Sequence, residues 1–395
     1  MTRKTGMGSM RTNNDDTGPA SLPRQTVIIT GGNSGLGYGC ARALLSASPP
    51  WHVIIACRDL GRAQKAVAML RESARPGAKV ETMALDLASL ASVRSFASKL
   101  EDRLKAADLP PLHGLVCNAA VQGARTFTAD GFESTFGVSH LGHYLLVNLL
   151  VPLMEKPARI AVVASGVHDP VELAKVPASM AVPVPAWNTP TALAKGDLGP
   201  AAANDDAAAD RGRRYSTTKL ANVYFAYGLA PRLPEGITAN AFDPGLMPGT
   251  GLAREYPAVV RFAWHNILPR IIPLLRLVLV KNIHTPEESG KALARLIVDP
   301  ALVSTNGKYF EGLREIPSSA ESYDKDRSEE LWRESATLTG IERLPYSRLA
   351  DYTLGDPRPC AQRCAPSLWR WRCQSGCAPG ASPARIPPGR PSGRR

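Results

Sequence analysis

The stretch "YSTTKLAN", residues 215–222, holds a tyrosine and a lysine four positions apart. At that spacing Tyr215 and Lys219 share one face of a helix, which brings a phenol and an ammonium toward one point. The chemistry available to such a pair is proton exchange. A tyrosine's pKa is about 10, and a neighbouring cation favours the phenolate. The same spacing also describes an ordinary solvated helix face, so the surrounding chain has to decide. A second signal is "VIITGGNSGLGYGCARALL", residues 27–45, which reads as a strand, a glycine-rich turn and a helix. Gly31, Gly35 and Gly37 follow the pattern G-x-x-x-G-x-G. Glycines allow a sharp turn and a close backbone approach to a pyrophosphate seated on the helix N-terminus. The alternative is a plain tight turn capped by Asn33 or Ser34. The next strand ends in "ACRDLGRAQKA", residues 56–66. In a nucleotide site of this topology an acid placed first would bond a free ribose 2′-hydroxyl. Arg58 suits a 2′-phosphate instead, with Lys65 assisting, which favours NADP over NAD. Asp59 follows at once and keeps the choice open.

Strands and helices must alternate to position these groups. "QTVIIT" (25–30), "HVIIAC" (52–57), "AKVETMAL" (78–85), "LHGLVCN" (112–118), "RIAVVAS" (159–165) and "ITANAFD" (237–243) are short and apolar. Such runs suit a parallel sheet covered on both faces. Helical patterns lie between them at 60–73, 90–106 and 130–154. The rhythm predicts an α/β fold, a doubly wound parallel sheet of Rossmann type. One domain is expected over 25–355, interrupted by a flexible insertion at 168–214 and a substrate lid at 246–285. Disordered segments are expected at 1–24 and 356–395.

Composition narrows the function. Hydrophobic residues make up 44% of 395, ample for a core. The net charge of +12 is concentrated in the tail, where eight arginines face one aspartate, so a nucleic-acid role for the core is not expected. Cys40, Cys57 and Cys117 sit alone in apolar stretches and read as buried thiols. Cys360, Cys364, Cys373 and Cys377 form two C-x-x-x-C pairs, a looser spacing than most zinc sites use, so no metal is expected there. Residues 1–24 lack the apolar run of a secretory signal, and a cytoplasmic location is expected. The stretch "ILPRIIPLLRLVLV", 267–280, is too short and too interrupted to span a bilayer; it suits peripheral membrane contact.

"TGGNSGLG", "LDL" at 85–87, "CNAA" at 117–120, "VVAS" ending at Ser165, "YSTTK" and "DPG" at 243–245 occur in an order that resembles the short-chain dehydrogenase/reductase family over about residues 25–315. "FGVSHLGHYLLVNLL", "ACRD" and "GLMPGTGLAREY" look like its retinol dehydrogenase and protochlorophyllide reductase branch. The resemblance implies an enzyme in which Tyr215 is the general acid/base and Lys219 lowers its pKa and holds the nicotinamide ribose. It implies that Ser165 positions the substrate oxygen. For the cofactor it implies Gly31, Asn33, Ser34, Gly35, Leu36 and Gly37 at the phosphates, with Asp86 and Leu87 at the adenine. Asn118 and Ala119 would face a ribose, and Pro244, Gly245 and Met247 the nicotinamide. Thr250 is a further candidate. The family usually has an asparagine where this chain has Ser139, which puts its water-mediated proton relay in doubt. His140 and His143 share a helix but lack a third ligand, so no metal is expected. The implied reaction interconverts a carbonyl and an alcohol on a bulky apolar substrate, using NADPH. The alternatives are reduction of a carbon–carbon double bond, against which Leu246 stands where that group usually has a cysteine, and a non-catalytic NADP-binding protein. Family members are commonly homodimers or homotetramers.

Overall fold

The computed structural model describes residues 24–176, 182–250, 258–278 and 282–341. Most of both terminal segments, with the four tail cysteines, lies outside them. Six strands match the apolar runs: β1 (Gln25–Thr30), β2 (Trp51–Cys57), β3 (Lys79–Ala84), β4 (Leu112–Cys117), β5 (Met154–Val163) and β6 (Ile237–Asp243). Two more, β7 (Tyr309–Glu311) and β8 (Arg314–Ile316), extend one edge. They were not anticipated, because three residues carry no readable period. The order is β3-β2-β1-β4-β5-β6-β7-β8, parallel throughout except for the β7–β8 pair. β2, β4 and β6 are buried along their whole length, as a sheet covered on both faces requires. The strand order reverses between β1 and β4, and both end at the edge where a ligand crevice forms.

Helices α1 (Gly35–Leu45), α2 (Leu60–Ser73) and α11 (Pro286–Val298) cover one face. The other carries α3 (Leu90–Lys105), α5 (Gly142–Leu150), α8 (Ala207–Leu229) and α12 (Lys325–Thr339). Trp332 of α12 stacks on Phe225 at 6.0 Å and packs edge-on to Tyr144 at 5.0 Å. The helix expected over 130–154 begins later, as α4 (Ser134–Phe136). It passes through a π-helical turn, Gly137–Leu141, into α5. Most of its residues are buried, polar ones such as Ser139, His140 and Asn148 included, because this is a central core helix.

Much of 168–214 is built rather than loose. It contains α6 (Pro170–Leu173) and α7 (Pro190–Ala194), and Leu193, Ala194 and Leu198 pack against Tyr224 and Leu331. Residues 177–181 lie outside the described set. α8 starts at Ala207, so Tyr215 sits in its third turn instead of at its start. Asp206 supplies the cap, accepting the Ala208 and Ala209 amides at 3.0 and 2.8 Å. The alanines within the insertion expected to be flexible are a capped helix start. In 246–285, α9 (Ala258–Phe262) and α10 (Ile272–Val278) are joined by irregular turns. Trp264 is buried and donates Nε1–H to the Thr250 carbonyl at 3.0 Å. Val259, Phe262 and Leu274 are exposed, as are Arg261 and Arg270.

α1 and α11 meet backbone to backbone. A Cβ on Gly39 would lie 2.3 Å from the Pro286 carbonyl oxygen, and one on Gly290 would lie 2.3 Å from the Gly39 carbonyl carbon. Gly39→Val should therefore lower stability by about 1–3 kcal/mol. Gly61→Ala, where a Cβ meets only the Asp59 carboxylate at 3.5 Å, should be neutral or stabilising by up to about 1 kcal/mol. Urea denaturation of both variants checks this, and equal effects would show that the helix contact is not tight.

Candidate active site

The site is assembled where β1, β4, β5 and β6 end. After β1 the chain turns through Gly31 and Gly35, whose φ angles of +66° and +55° favour glycine. A Cβ on Gly37 would fall 2.6 Å from Asn118 Nδ2 and 2.7 Å from the Gly31 carbonyl oxygen, so this glycine lets α1 start against the loop after β4. Asn118 closes the other side, donating Nδ2–H to the Thr30 carbonyl at 2.7 Å. Ser34 is the N-cap of α1 yet makes no capping bond. The first amides of α1 thus remain for an anion, and the bend that any larger residue would fill fits a pyrophosphate. Asn33 and Leu36 complete the turn.

Thr30 was not singled out in the sequence, yet three segments meet on it. Its hydroxyl accepts the Asn118 and Ala119 amides at 2.9 and 3.0 Å and pairs with His143 Nε2 at 2.8 Å. The signal was a hydroxyl residue on the last position of an otherwise aliphatic strand. Arg58, just past β2, is exposed and has no partner among the described residues. Asp59 is already committed, capping α2 through Arg62 N at 2.9 Å and pairing with Arg62 Nε at 2.5 Å. Asp86 keeps one carboxylate oxygen on the Ala88 amide at 3.0 Å, and Leu87 is buried beneath Gly142.

Lys219 is buried, and its Nζ donates to the Val163 carbonyl at 3.0 Å. Ser165 follows two residues later, half-buried at the end of β5. Tyr215 is half-buried as well, with Lys219 Nζ 5.5 Å from its ring centre. Burial drives the Lys219 ammonium down to about 8, while the Asp243 carboxylate opposes the shift. Burial, helped by Asp243, pushes the Tyr215 phenol up. Burial and Asp243 thus set the direction for the phenol, opposite to the lowering expected from Lys219. Asp243 had been noticed only as part of "DPG", and Asn222, which donates Nδ2–H to the same Val163 carbonyl at 3.1 Å, not at all. Its position one turn past Lys219 was the signal.

Beyond β6, Gly245 has φ +72° and lies against Asn282, while Pro244 accepts the Ser289 hydroxyl at 2.7 Å. Met247 is buried, its carbonyl accepting the Thr250 hydroxyl at 2.8 Å. Thr250 in turn lies beside Gly35. Ser139 sits in the π-helical turn, its hydroxyl accepting the Val121 amide at 3.3 Å and its carbonyl meeting His143 Nδ1 at 3.1 Å. The hydroxyl keeps its own proton and a second lone pair, but lacks an amide's two donors. His140 is paired with Ser335 at 2.8 Å, and the described residues hold no cluster of three metal-ligating side chains.

Residues 25–174 match the family model of the short chain dehydrogenases, and 252–345 match the AcuH dehydrogenase domain. Protochlorophyllide reductase A of Triticum aestivum is 32% identical over 349 residues, covering 82% of each chain. Human retinol dehydrogenase 14 is 32% identical over 341 residues, covering 82% of this chain and 88% of its own. The chain belongs to the short-chain dehydrogenase/reductase family. It falls in the branch that contains those two relatives. A solved protein from Mycobacterium paratuberculosis shares the fold, with a TM-score of 0.54 and 25% identity over 81% of this chain and 95% of that one.

For this family member the buried histidines set a pH limit. Burial lowers His140 to about 3 and His143 to about 4, so both are neutral when folded. An unfolded chain protonates them near pH 6.5. Stability should hold above that value and fall as pH drops toward 4, by up to about 1.4 kcal/mol per pH unit for each histidine. Urea denaturation at pH 7 and pH 5 measures the slope. His140→Gln should flatten it, and an unchanged slope would assign the acid sensitivity to other groups.

Proposed function

We propose that this short-chain dehydrogenase/reductase is an NADP(H)-dependent enzyme that interconverts a carbonyl and an alcohol on a bulky apolar substrate. The observation that carries the reading is Lys219, 5.5 Å from the Tyr215 ring and anchored on the Val163 carbonyl, two residues before Ser165. The nicotinamide cofactor would supply the hydride. The turn from Gly31 to Gly37 and the N-terminus of α1 would hold its phosphates, and Arg58 a 2′-phosphate. Asp86, Leu87, Asn118 and Ala119 would line the adenosine half, and Pro244, Gly245 and Met247 the nicotinamide end.

Within that frame the side chains have separate tasks. Ser165, whose hydroxyl makes no bond among the described residues, would donate to the substrate oxygen and hold it in line. Tyr215 would give that oxygen its proton during reduction and take it back during oxidation. A phenol pushed up by burial is a poor acid at neutral pH, and the cation of Lys219 favours the phenolate that forms. The Asp243 carboxylate opposes the lowering of Lys219 by burial, and burial raises Asp243 in turn. Leu246, whose amide and carbonyl bond Asn282 and His284, offers no proton donor for double-bond reduction.

NADPH oxidation in the dark, against apolar aldehydes and ketones, tests this. Tyr215→Phe should lose activity by about 100-fold or more while still binding NADPH. NADH should serve less well than NADPH. Turnover only under illumination would favour double-bond reduction instead.

We also propose that the lid meets a membrane surface. Val259, Phe262 and Leu274 are exposed beside Arg261 and Arg270, and no acidic residue lies between 258 and 278, a composition suited to anionic lipid. Flotation with liposomes should recover the protein with anionic vesicles and less with neutral ones. Failure to float with either would remove the idea.

A further inference from the structure

We propose that the buried Arg214–Glu133 pair is a positioning device that holds Tyr215 in register with the loop after β4; the inference rests on the reading of Tyr215 as proton donor. Arg214 immediately precedes Tyr215 and is 3% exposed, and Glu133 is 1% exposed. The guanidinium spends its donors on three segments. Nη1 bonds Glu133 Oε1 at 2.7 Å and the Thr135 hydroxyl at 3.0 Å. Nη2 reaches the Gly123 carbonyl at 2.9 Å, and Nε bonds Asp210 Oδ2 at 3.0 Å, one turn earlier on α8. Asp210 also takes Arg125 from the same loop. Glu133 is equally occupied. Its carboxylate caps α4 through the Thr135 and Phe136 amides at 2.9 and 3.0 Å, and its carbonyl accepts Gly137 N at 2.7 Å.

One fork of hydrogen bonds therefore joins the loop that continues from Asn118, the start of the helix carrying Ser139, and the helix carrying Tyr215 and Lys219. Stability alone does not explain it. A buried ion pair loses so much hydration that well-packed apolar residues of similar volume are often as stable or better. What apolar residues lack is direction. The planar guanidinium fixes the rotation of α8 about its axis, and Tyr215 lies one residue away. A displacement of about 1 Å at a reacting group can cost on the order of 100-fold in rate.

The test is the double variant Arg214→Met/Glu133→Leu, which removes both charges and keeps the volume. It should fold, with a melting temperature lowered by the loss of the Glu133 cap on α4, and bind NADPH, by fluorescence, within about twofold. Its kcat for carbonyl reduction should fall about 10- to 100-fold. Arg214→Lys, which keeps the charge but loses the fork, should fall between. A folded double variant with wild-type kcat overturns the proposal. So does a double variant that fails to fold alongside an Arg214→Lys enzyme of full activity, because the pair then serves stability only. Wild-type protein that reduces no carbonyl would instead sink the proposed reaction. Amide hydrogen exchange over 118–126 and 207–219 still reads the clamp in that case. It should quicken in the double variant, and unchanged exchange overturns the clamp.

Discussion

A buried ammonium is costly, and the site is organised around making it tolerable. Lys219 leaves water to lie on the Val163 carbonyl, and burial lowers its pKa to about 8. Two features hold the charge. The carbonyl belongs to the last residue of β5, so its usual ladder partner is missing and its lone pairs are available. Asp243, at the end of the neighbouring strand, supplies a counter-charge. The register makes them neighbours: Val163 pairs with Phe242, and Asp243 comes next. A parallel sheet thus offers at one edge the bare carbonyl and the acid that a buried lysine needs.

Asp243 does more than balance charge. Its carboxylate accepts the Gly166 and Gly245 amides and Asn282 Nδ2–H, the last two at 3.0 and 2.9 Å. Gly166 follows Ser165, and Gly245 lies in the turn proposed to face the nicotinamide. One buried acid therefore joins the residue after Ser165 to the turn at Gly245. Thr30 plays the matching part on the other half, tying β1, the loop after β4 and α5 through one hydroxyl. Arg214 joins the two halves from the helix side.

The sequence made the sheet legible because its strands are aliphatic and doubly buried, which leaves little choice of period or of face. β1 and β6 ended where the apolar runs ended. The turn at Gly31 to Gly37 was legible for a related reason, since positive φ and a backbone contact leave few residues that fit. What escaped were groups whose role depends on a partner distant in sequence. Asp243 matters because of Lys219 and Gly166, Thr30 because of Asn118 and His143, and Arg214 because of Glu133, 81 residues away. β7 and β8 were hidden for the same reason, as three residues become a strand only when β6 is there to pair with. The insertion was misjudged because alanine-rich composition resembles disorder, although Asp206 before the alanines is a cap and Leu193 and Leu198 have a hydrophobic home.

This division between local and distant constraint runs through the site itself. The glycine turn and the strand ends are held by backbone atoms, whose geometry the main chain fixes. Other parts are held by side chains distant in sequence, through contacts such as Trp264 on Thr250 and Arg214 on Gly123. Leu246 exchanges backbone bonds with Asn282 and His284, at 2.8 and 2.9 Å, and Asn282 also binds Asp243. Asn282 thus ties this segment to the acid at the end of β6, while Thr250 lies against Gly35 in the glycine turn.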